Sequence, residues 1–323
     1  MYKNFTCDHY GKTYYNSEEF HIEDVVFKIS TLEHIIDFCR QKNIKNIFCI
    51  HVFPEWFRKK YSDINFFFNE PPKNTDRSMR GWKDLKQFNM HRDINIKNFL
   101  CSFNGSQEVG RQFFVSMLKK QNLFNVNYCT KNFEFTEQTI DGNIEELSNN
   151  PVLHHKFIKI EDDSDNFYQT KYTIDYEKFD HLHNINCLQE KITESFLNLV
   201  CESFATGELV AITEKCLFSV VCRGLFLCYA PQNWHNVFEK YYGFRNYTNL
   251  FNYHFDTIEN PVERLVELVS MIQKFSSLSV RELSDLYELE TPTIEYNYDH
   301  FFSGKYLDCI NEYEDTFNTE KQL

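Results

Sequence analysis

The chain has 323 residues, of which 42% are hydrophobic and 17% aromatic, and a formal net charge of −13. That length suits two cores better than one, and the acidic balance argues against a non-specific nucleic-acid binder, which needs a basic footprint. The 9 glycines form neither a GxGxxG nor a GxxxxGK[ST] loop, which argues against a dinucleotide dehydrogenase and a Walker ATPase.

The first 96 residues read as a small α/β unit. Asp24 to Ile29 forms an apolar strand-like run, and Thr31 can cap a helix with Leu32, Ile35, Ile36 and Cys39 on one face. Asn46 to Val52 reads as the next strand and Ile64 to Phe68 as another. From Asn69 to Arg92 the chain is polar, with Pro71-Pro72. It reads as a connection between domains that could carry an acceptor loop around Trp82.

A second unit is expected over 97–275. Asn98 to Phe103 predicts a strand and Asn104-Gly105-Ser106 a turn. A helix from Gln107 to Lys120 then packs through Val109, Phe113, Phe114, Met117 and Leu118, with Arg111 pointing away from that face. The stretch from Asn127 to Glu194 is polar and carries His154-His155, His181 and His183, for which no convincing third metal ligand stands nearby. Its Asp162-Asp163-Ser164-Asp165 contains a DxD, read as a solvated acidic loop.

Phe196 to Cys201 is a short apolar run of strand length, closed by Glu202-Ser203. A loop with Gly207 follows, and Thr213-Glu214-Lys215 opens an apolar helix that stops at Arg223-Gly224 before a strand over Leu225 to Tyr229. Apolar strands joined by a short helix imply a parallel sheet with its loops at one edge, where open α/β folds hold ligands. Thr213 can cap the helix, whose free N–H groups and dipole favour an anion. Lys215 adds a positive charge, and Glu214 a carboxylate able to accept two ribose hydroxyls. The plain alternative is a cap followed by a surface Glu–Lys pair.

The last part is helical. Asn260-Pro261-Val262-Glu263 and Ser279-Val280-Arg281-Glu282 are both helix starts. The helices over 276–323 are expected to pack on the second unit, the last one crossing back to the first, with an acidic, frayed tail from Asn311. The 11 cysteines include no CxxC pair, and six of them (Cys49, Cys101, Cys201, Cys216, Cys222 and Cys228) sit inside apolar runs, as buried free thiols of a reducing compartment would. No stretch looks like a secretion signal or a membrane span, so a soluble, cytoplasmic protein is expected.

The segment Glu202-Ser203, Thr213-Glu214-Lys215 and Gly224-Leu225-Phe226-Leu227 resembles the nucleotide-sugar-binding half of the α1,3-fucosyltransferase-type glycosyltransferases. The resemblance implies an α/β architecture of two Rossmann-like domains (GT-B type) with C-terminal helices. It also implies a nucleotide-sugar donor, a glycan or other hydroxyl acceptor, and no obligatory metal or other cofactor. It would set Lys215 and Arg111 on the donor diphosphate and Glu214 on the ribose, with Glu202 and Ser203 beside the nucleotide. Nucleic acid would enter only as a modified acceptor. An inverting transfer needs a carboxylate to take the acceptor's proton. Glu55, in Phe53-Pro54-Glu55-Trp56 directly after a strand, is the candidate, with Asp63 and Glu70 behind it. Two rivals stand: a transferase of GT-A type that holds a metal on the DxD, and a non-catalytic protein that binds a nucleotide or carbohydrate.

Overall fold

The computed structural model describes residues 3–5, 13–22, 29–49, 52–53, 55–68, 95–104, 109–123, 128–131, 188–202, 205, 209–210 and 212–320. Ser203, Glu70, Trp82, the DxD over 162–165 and the four histidines between 154 and 183 lie outside them, as do residues 24–28.

Among the described residues two sheets organise the chain. The first has the order β1-β2-β3-β4-β5, from Lys3–Phe5, Thr13–Tyr15, Glu19–Ile22, Asn46–Cys49 and Asn65–Phe68. Strand β2 is antiparallel to both β1 and β3, whereas β3, β4 and β5 run parallel. Helix α1, Ile29–Gln41, buries Leu32, Ile35, Ile36 and Cys39, the stripe its 3.6-residue spacing predicts. Thr31 lies inside its first turn rather than at its cap, because Ile29 already opens the helix and so does not belong to a strand. The strand expected over Asn46 to Val52 ends at Cys49 among the described residues. Helix α2, Glu55–Lys60, follows.

The second sheet is wholly parallel, in the order β7-β6-β8-β9, from Asn98–Asn104 (β6), Tyr128–Lys131 (β7), Ser195–Cys201 (β8) and Leu225–Tyr229 (β9). Every residue of β8 and β9 is buried. That is why β9 reads as an unbroken apolar run and β8 as nearly one, since crossover helices cover both faces of such a sheet. One polar residue breaks the run in β8. Asn198 is accommodated by donating to Ser219 Oγ at 2.6 Å and accepting from the Cys101 thiol at 3.5 Å. Helix α3, Val109–Lys120, packs on β8. Helix α4, Glu214–Val221, lies between β8 and β9 in sequence and packs on both. Gly224 is required where the chain turns into β9, because a Cβ there would stand 2.8 Å from Ile192 Cγ2.

Among the described residues four α-helices follow β9: α5, Trp234–Lys240; α6, Pro261–Gln273; α7, Val280–Ser303; and α8, Lys305–Glu320. Asn260 caps α6 by accepting from the Val262 and Glu263 amides, and Ser279 with Glu282 closes a capping box on α7. Helix α8 packs against β5 of the first sheet. The tail expected to fray from Asn311 is therefore helical to Glu320, and Glu314 within it is buried because it pairs with Arg58.

Two cores result. One surrounds the first sheet, α1 and α2, and the other the second sheet with α3 to α8. Val52 belongs to the second core and Leu209 to the first, so the two are laced together at this border.

Candidate functional site

In the second sheet the strand order reverses between β6 and β8, and the crevice outside the carboxyl ends of those strands is the general ligand position of open parallel sheets. Glu202 stands at the end of β8 with 1% of its surface exposed, and its amide donates to the Tyr229 carbonyl at the end of β9. Its carboxylate accepts from the Thr213 hydroxyl and, at 3.4 Å, from the Thr213 amide. Thr213 in turn caps α4 by accepting from the Lys215 amide at 3.4 Å. The Lys215 ammonium lies 3.3 Å from Thr213 Oγ1 and 3.9 Å from Glu202 Oε2.

Three residues singled out in the sequence thus form one hydrogen-bonded unit. Their roles within it differ. Glu202 is a buried anchor that fixes the cap and offsets the charge of Lys215. Thr213 and Lys215 are both partly exposed, and Lys215, with 23% of its side chain exposed, is the one that carries a positive charge to solvent. Glu214 is the first residue of α4.

Arg111 sits in the first turn of α3, as expected, but it does not point away from the packed face. It is 4% exposed, because α3 lies between β8 and α6 and so is covered on more than one side. A buried guanidinium in a first helical turn at this edge is a fixed cation rather than a solvated one.

Beside this crevice is a cavity of about 1230 Å³. Its walls come from the segments that follow three strands. Val52, Phe53, Glu55 and Trp56 come after β4; Leu209 and Val210 come after β8; Gln232 and Asn233 come after β9. The first turn of α6 closes it with Asn260, Glu263 and Arg264. The cavity therefore lies where carboxyl-terminal strand edges of both sheets face each other. Glu55 lines it and pairs with Lys59. The Lys59 ammonium holds the Glu55 carboxyl below the usual carboxylate range, helped by the charge of Lys240. Arg111, Glu202, Thr213 and Lys215 do not line the cavity.

Asp63, the second candidate base, lies on the other side of the first sheet. It precedes β5 and accepts twice from the Arg40 guanidinium at 2.8 Å. That pairing lowers its carboxyl, and its position at an amino-terminal strand edge keeps it out of the cavity.

Two buried charged groups, of which Arg264 lines the cavity, were not anticipated from the sequence. Arg264 is 2% exposed and donates to the carbonyls of Ile258, Glu259 and Ala205, tying α6 to the segment after β8. Burial pulls its guanidinium down, though Tyr229 and Asp256 oppose this. The signal was there: Arg264 shares a helical stripe with Leu265, Leu268 and Ile272, an unusual place for a cation. The second group is Asp256, 3% exposed, whose carboxylate accepts from the amides of His235 at 3.0 Å and Asn236 at 3.2 Å. It supplies the cap that Asn233, in a left-handed conformation with φ 64°, does not give α5.

Among the described residues no group of three or more His, Cys, Asp or Glu side chains could hold a metal ion, and the DxD lies outside those residues. No described helix is long and apolar enough to cross a membrane. Comparison with protein-family models, with curated proteins and with solved structures finds no match to the chain.

Proposed function

We propose that the chain is a glycosyltransferase of GT-B type that moves a sugar from a nucleotide-sugar donor to an acceptor hydroxyl with inversion. The observation that carries this reading is the cavity between the carboxyl-terminal strand edges of two sheets, with a carboxylate on the first-sheet wall and a capped, cationic helix start at the neighbouring edge. In the reaction, the Glu55 carboxylate takes the proton from the acceptor hydroxyl as its oxygen attacks the anomeric carbon. The bond from that carbon to the phosphate oxygen breaks, and the diphosphate leaves with the electron pair. Lys215 and Arg111 offset its charge, the task a metal ion performs in other transferases. Glu202 and Thr213 hold Lys215 in place, and Glu214 and Ser203 are the donor contacts proposed beside them.

The test is a thermal-shift screen of wild type and Lys215→Ala against nucleoside diphosphates and nucleotide sugars. A ligand that binds only the folded chain raises its melting temperature by mass action. Wild type should respond to one nucleotide class, and Lys215→Ala should bind it about tenfold or more weakly, the worth of one charge-assisted contact. No response to any nucleotide would end the transferase reading.

One observation favours a second reading, a protein that binds a nucleotide sugar without transferring it. Glu55 is 51% exposed and ion-paired with Lys59, and both features make it a weaker proton acceptor. A wild type that binds donor but neither hydrolyses nor transfers it would favour that reading.

A further inference from the structure

Few large apolar side chains stand in solvent among the described residues: Trp56 at 55% exposure, Val280 and Leu289. Trp56 alone of the three lines the cavity. Its exposure follows from α2. Phe57 and Arg58 turn into the first core, and at 100° per residue the neighbouring Trp56 turns out of it. The indole is nonetheless held. Its ring meets Phe57 edge to face at 5.5 Å and 76°, and Phe57 is fully buried in a stack on Phe53. One aromatic face is thus presented at the rim by a rigid support, next to Glu55.

The wall across from it is polar but mostly uncharged. Gln232, Asn233, Asn236 and Asn260 all line the cavity. Asn233 and Asn236 are exposed and three residues apart, hence on one side of α5 and its cap. Gln232 is held by donating to the Thr257 carbonyl at 2.6 Å. An amide both donates and accepts, which matches a hydroxyl, itself donor and acceptor. The charges do not suit an anion. Glu55 and Lys59 neutralise each other, Glu259 and Glu263 are acidic, and Arg264 is buried with its terminal nitrogens donating to three carbonyls.

We infer that this cavity is a saccharide site, in which the apolar face of a neutral pyranose ring stacks on Trp56 while its hydroxyls meet the amides of Asn233 and Asn236. The assignment rests on the transferase reading of the same cavity and deepens it. The acceptor is an uncharged glycan, and its nucleophilic hydroxyl lies on the Glu55 side of the ring. The C–H groups of a pyranose face carry partial positive charge and the indole face is negative, so stacking adds to the area the pair buries. The donor diphosphate is bound elsewhere, at the edge that carries Lys215.

The experiment titrates wild type, Trp56→Ala and Trp56→Phe with lactose, maltose, cellobiose and chitobiose by saturation-transfer NMR. Tryptophan fluorescence of wild type is followed in parallel. A nucleoside and a nucleoside diphosphate serve as separate arms. At least one disaccharide should bind saturably and change the fluorescence. Trp56→Ala should bind it about tenfold more weakly, with Trp56→Phe in between. Trp56→Ala should stay folded, with only the small drop in melting temperature that loss of its contact with Phe57 brings, and its diphosphate affinity should equal that of wild type. The inference is overturned if no disaccharide binds, if Trp56→Ala binds sugar as wild type does, or if the nucleoside is what loses affinity in Trp56→Ala. Sugar binding that depends on Trp56, in a chain that binds no nucleotide, would keep the site while sinking the transferase reading.

Discussion

Arg58 and Glu314 stand 256 residues apart in sequence and meet in a buried ion pair, with 2% and 6% of their side chains exposed. Arg58 also donates to the Phe66 carbonyl at 3.0 Å and to the Phe53 carbonyl at 3.2 Å, and Glu314 accepts from the Phe68 amide at 2.7 Å. The pair therefore fastens α8 to β5 and to the segment that leads into the cavity. Tyr313 adds a hydrogen bond to the Phe53 carbonyl at 2.8 Å.

Glu314→Ala is expected to destabilise the fold by about 3–5 kcal/mol, since it leaves a buried guanidinium unpaired. Arg58→Met with Glu314→Leu should recover part of that loss, because two apolar side chains bury no charge, but the Phe66 carbonyl and the Phe68 amide lose these partners. Urea denaturation of the three proteins measures both. A single variant within about 0.5 kcal/mol of wild type would show that water reaches the pair.

Stability should also fall with acid in a way traceable to two histidines. His235 is fully buried. Its Nε2 accepts from the Cys228 amide at 3.2 Å and its Nδ1 donates to Asn246 at 3.3 Å, so the ring is neutral. Burial pushes it below its ordinary value of 6.5, and the same holds for His300, which donates to the Tyr242 carbonyl at 2.7 Å. With the folded value depressed, the unfolded chain binds more protons. Their contribution is complete above pH about 6.5 and is lost as pH falls through the folded values, by up to about 1.4 kcal/mol per unit for each ring. Urea midpoints taken down this range should drop, and His235→Gln should flatten the slope whatever it does to the midpoint itself.

At the helix cap, Thr213→Ala is expected to cost about 1 kcal/mol of stability and to loosen Lys215 as well. Arg111→Ala should weaken diphosphate binding but, unlike Lys215→Ala, should also lower the melting temperature, because the residue is buried, at 4% exposure. Calorimetric titration with the nucleoside diphosphate, beside a melting curve, separates the two effects. An unchanged melting temperature for Arg111→Ala would contradict the burial.

For the chemical step, Glu55→Gln should leave donor affinity near that of wild type and cut turnover by about 10²–10⁴-fold, the share of a positioned base. Raising pH should not unmask the activity, because Gln has no proton to lose. Donor hydrolysis by water is the first assay. Turnover at the wild-type rate would remove Glu55 from the mechanism, and Asp63, turned to the far edge and paired with Arg40, would not replace it.

Donor binding and turnover should survive chelation with EDTA, since cationic side chains and a helix start are proposed to offset the diphosphate. Loss of both on chelation, restored by Mn²⁺ or Mg²⁺, would shift the site to a metal-dependent one.

What could be read from the sequence was local. Thr213, Asn260 and Ser279 announce their helices because a cap acts within three residues, and the Leu225–Tyr229 strand is bounded by a glycine and is apolar throughout. The face of α1 follows from spacing alone. What could not be read depends on partners distant in the chain. The three-residue strands β1 and β2 are too short for a periodic signal and exist through pairing. Arg111 looked like a surface residue because its burial comes from α6, some 150 residues later. The acidic tail looked frayed because the cation that pairs with Glu314 is Arg58, in the first sheet's core. Of the candidate site, the cap unit was legible, whereas the cavity wall formed by Gln232, Asn233 and Asn236 was not, since polar residues after a strand read as an ordinary loop.

The clamp on α8 also sets an order of events during synthesis. Arg58 and the Phe68 amide emerge from the ribosome with their carboxylate still 256 and 246 residues away. For most of translation the first sheet carries an uncompensated cation and an open strand edge, both invitations to mispairing. It becomes a finished unit only when the sixteen residues Lys305–Glu320 arrive. A nascent chain stalled before residue 305 should be cut by protease around 53–68, and one released after 320 should resist.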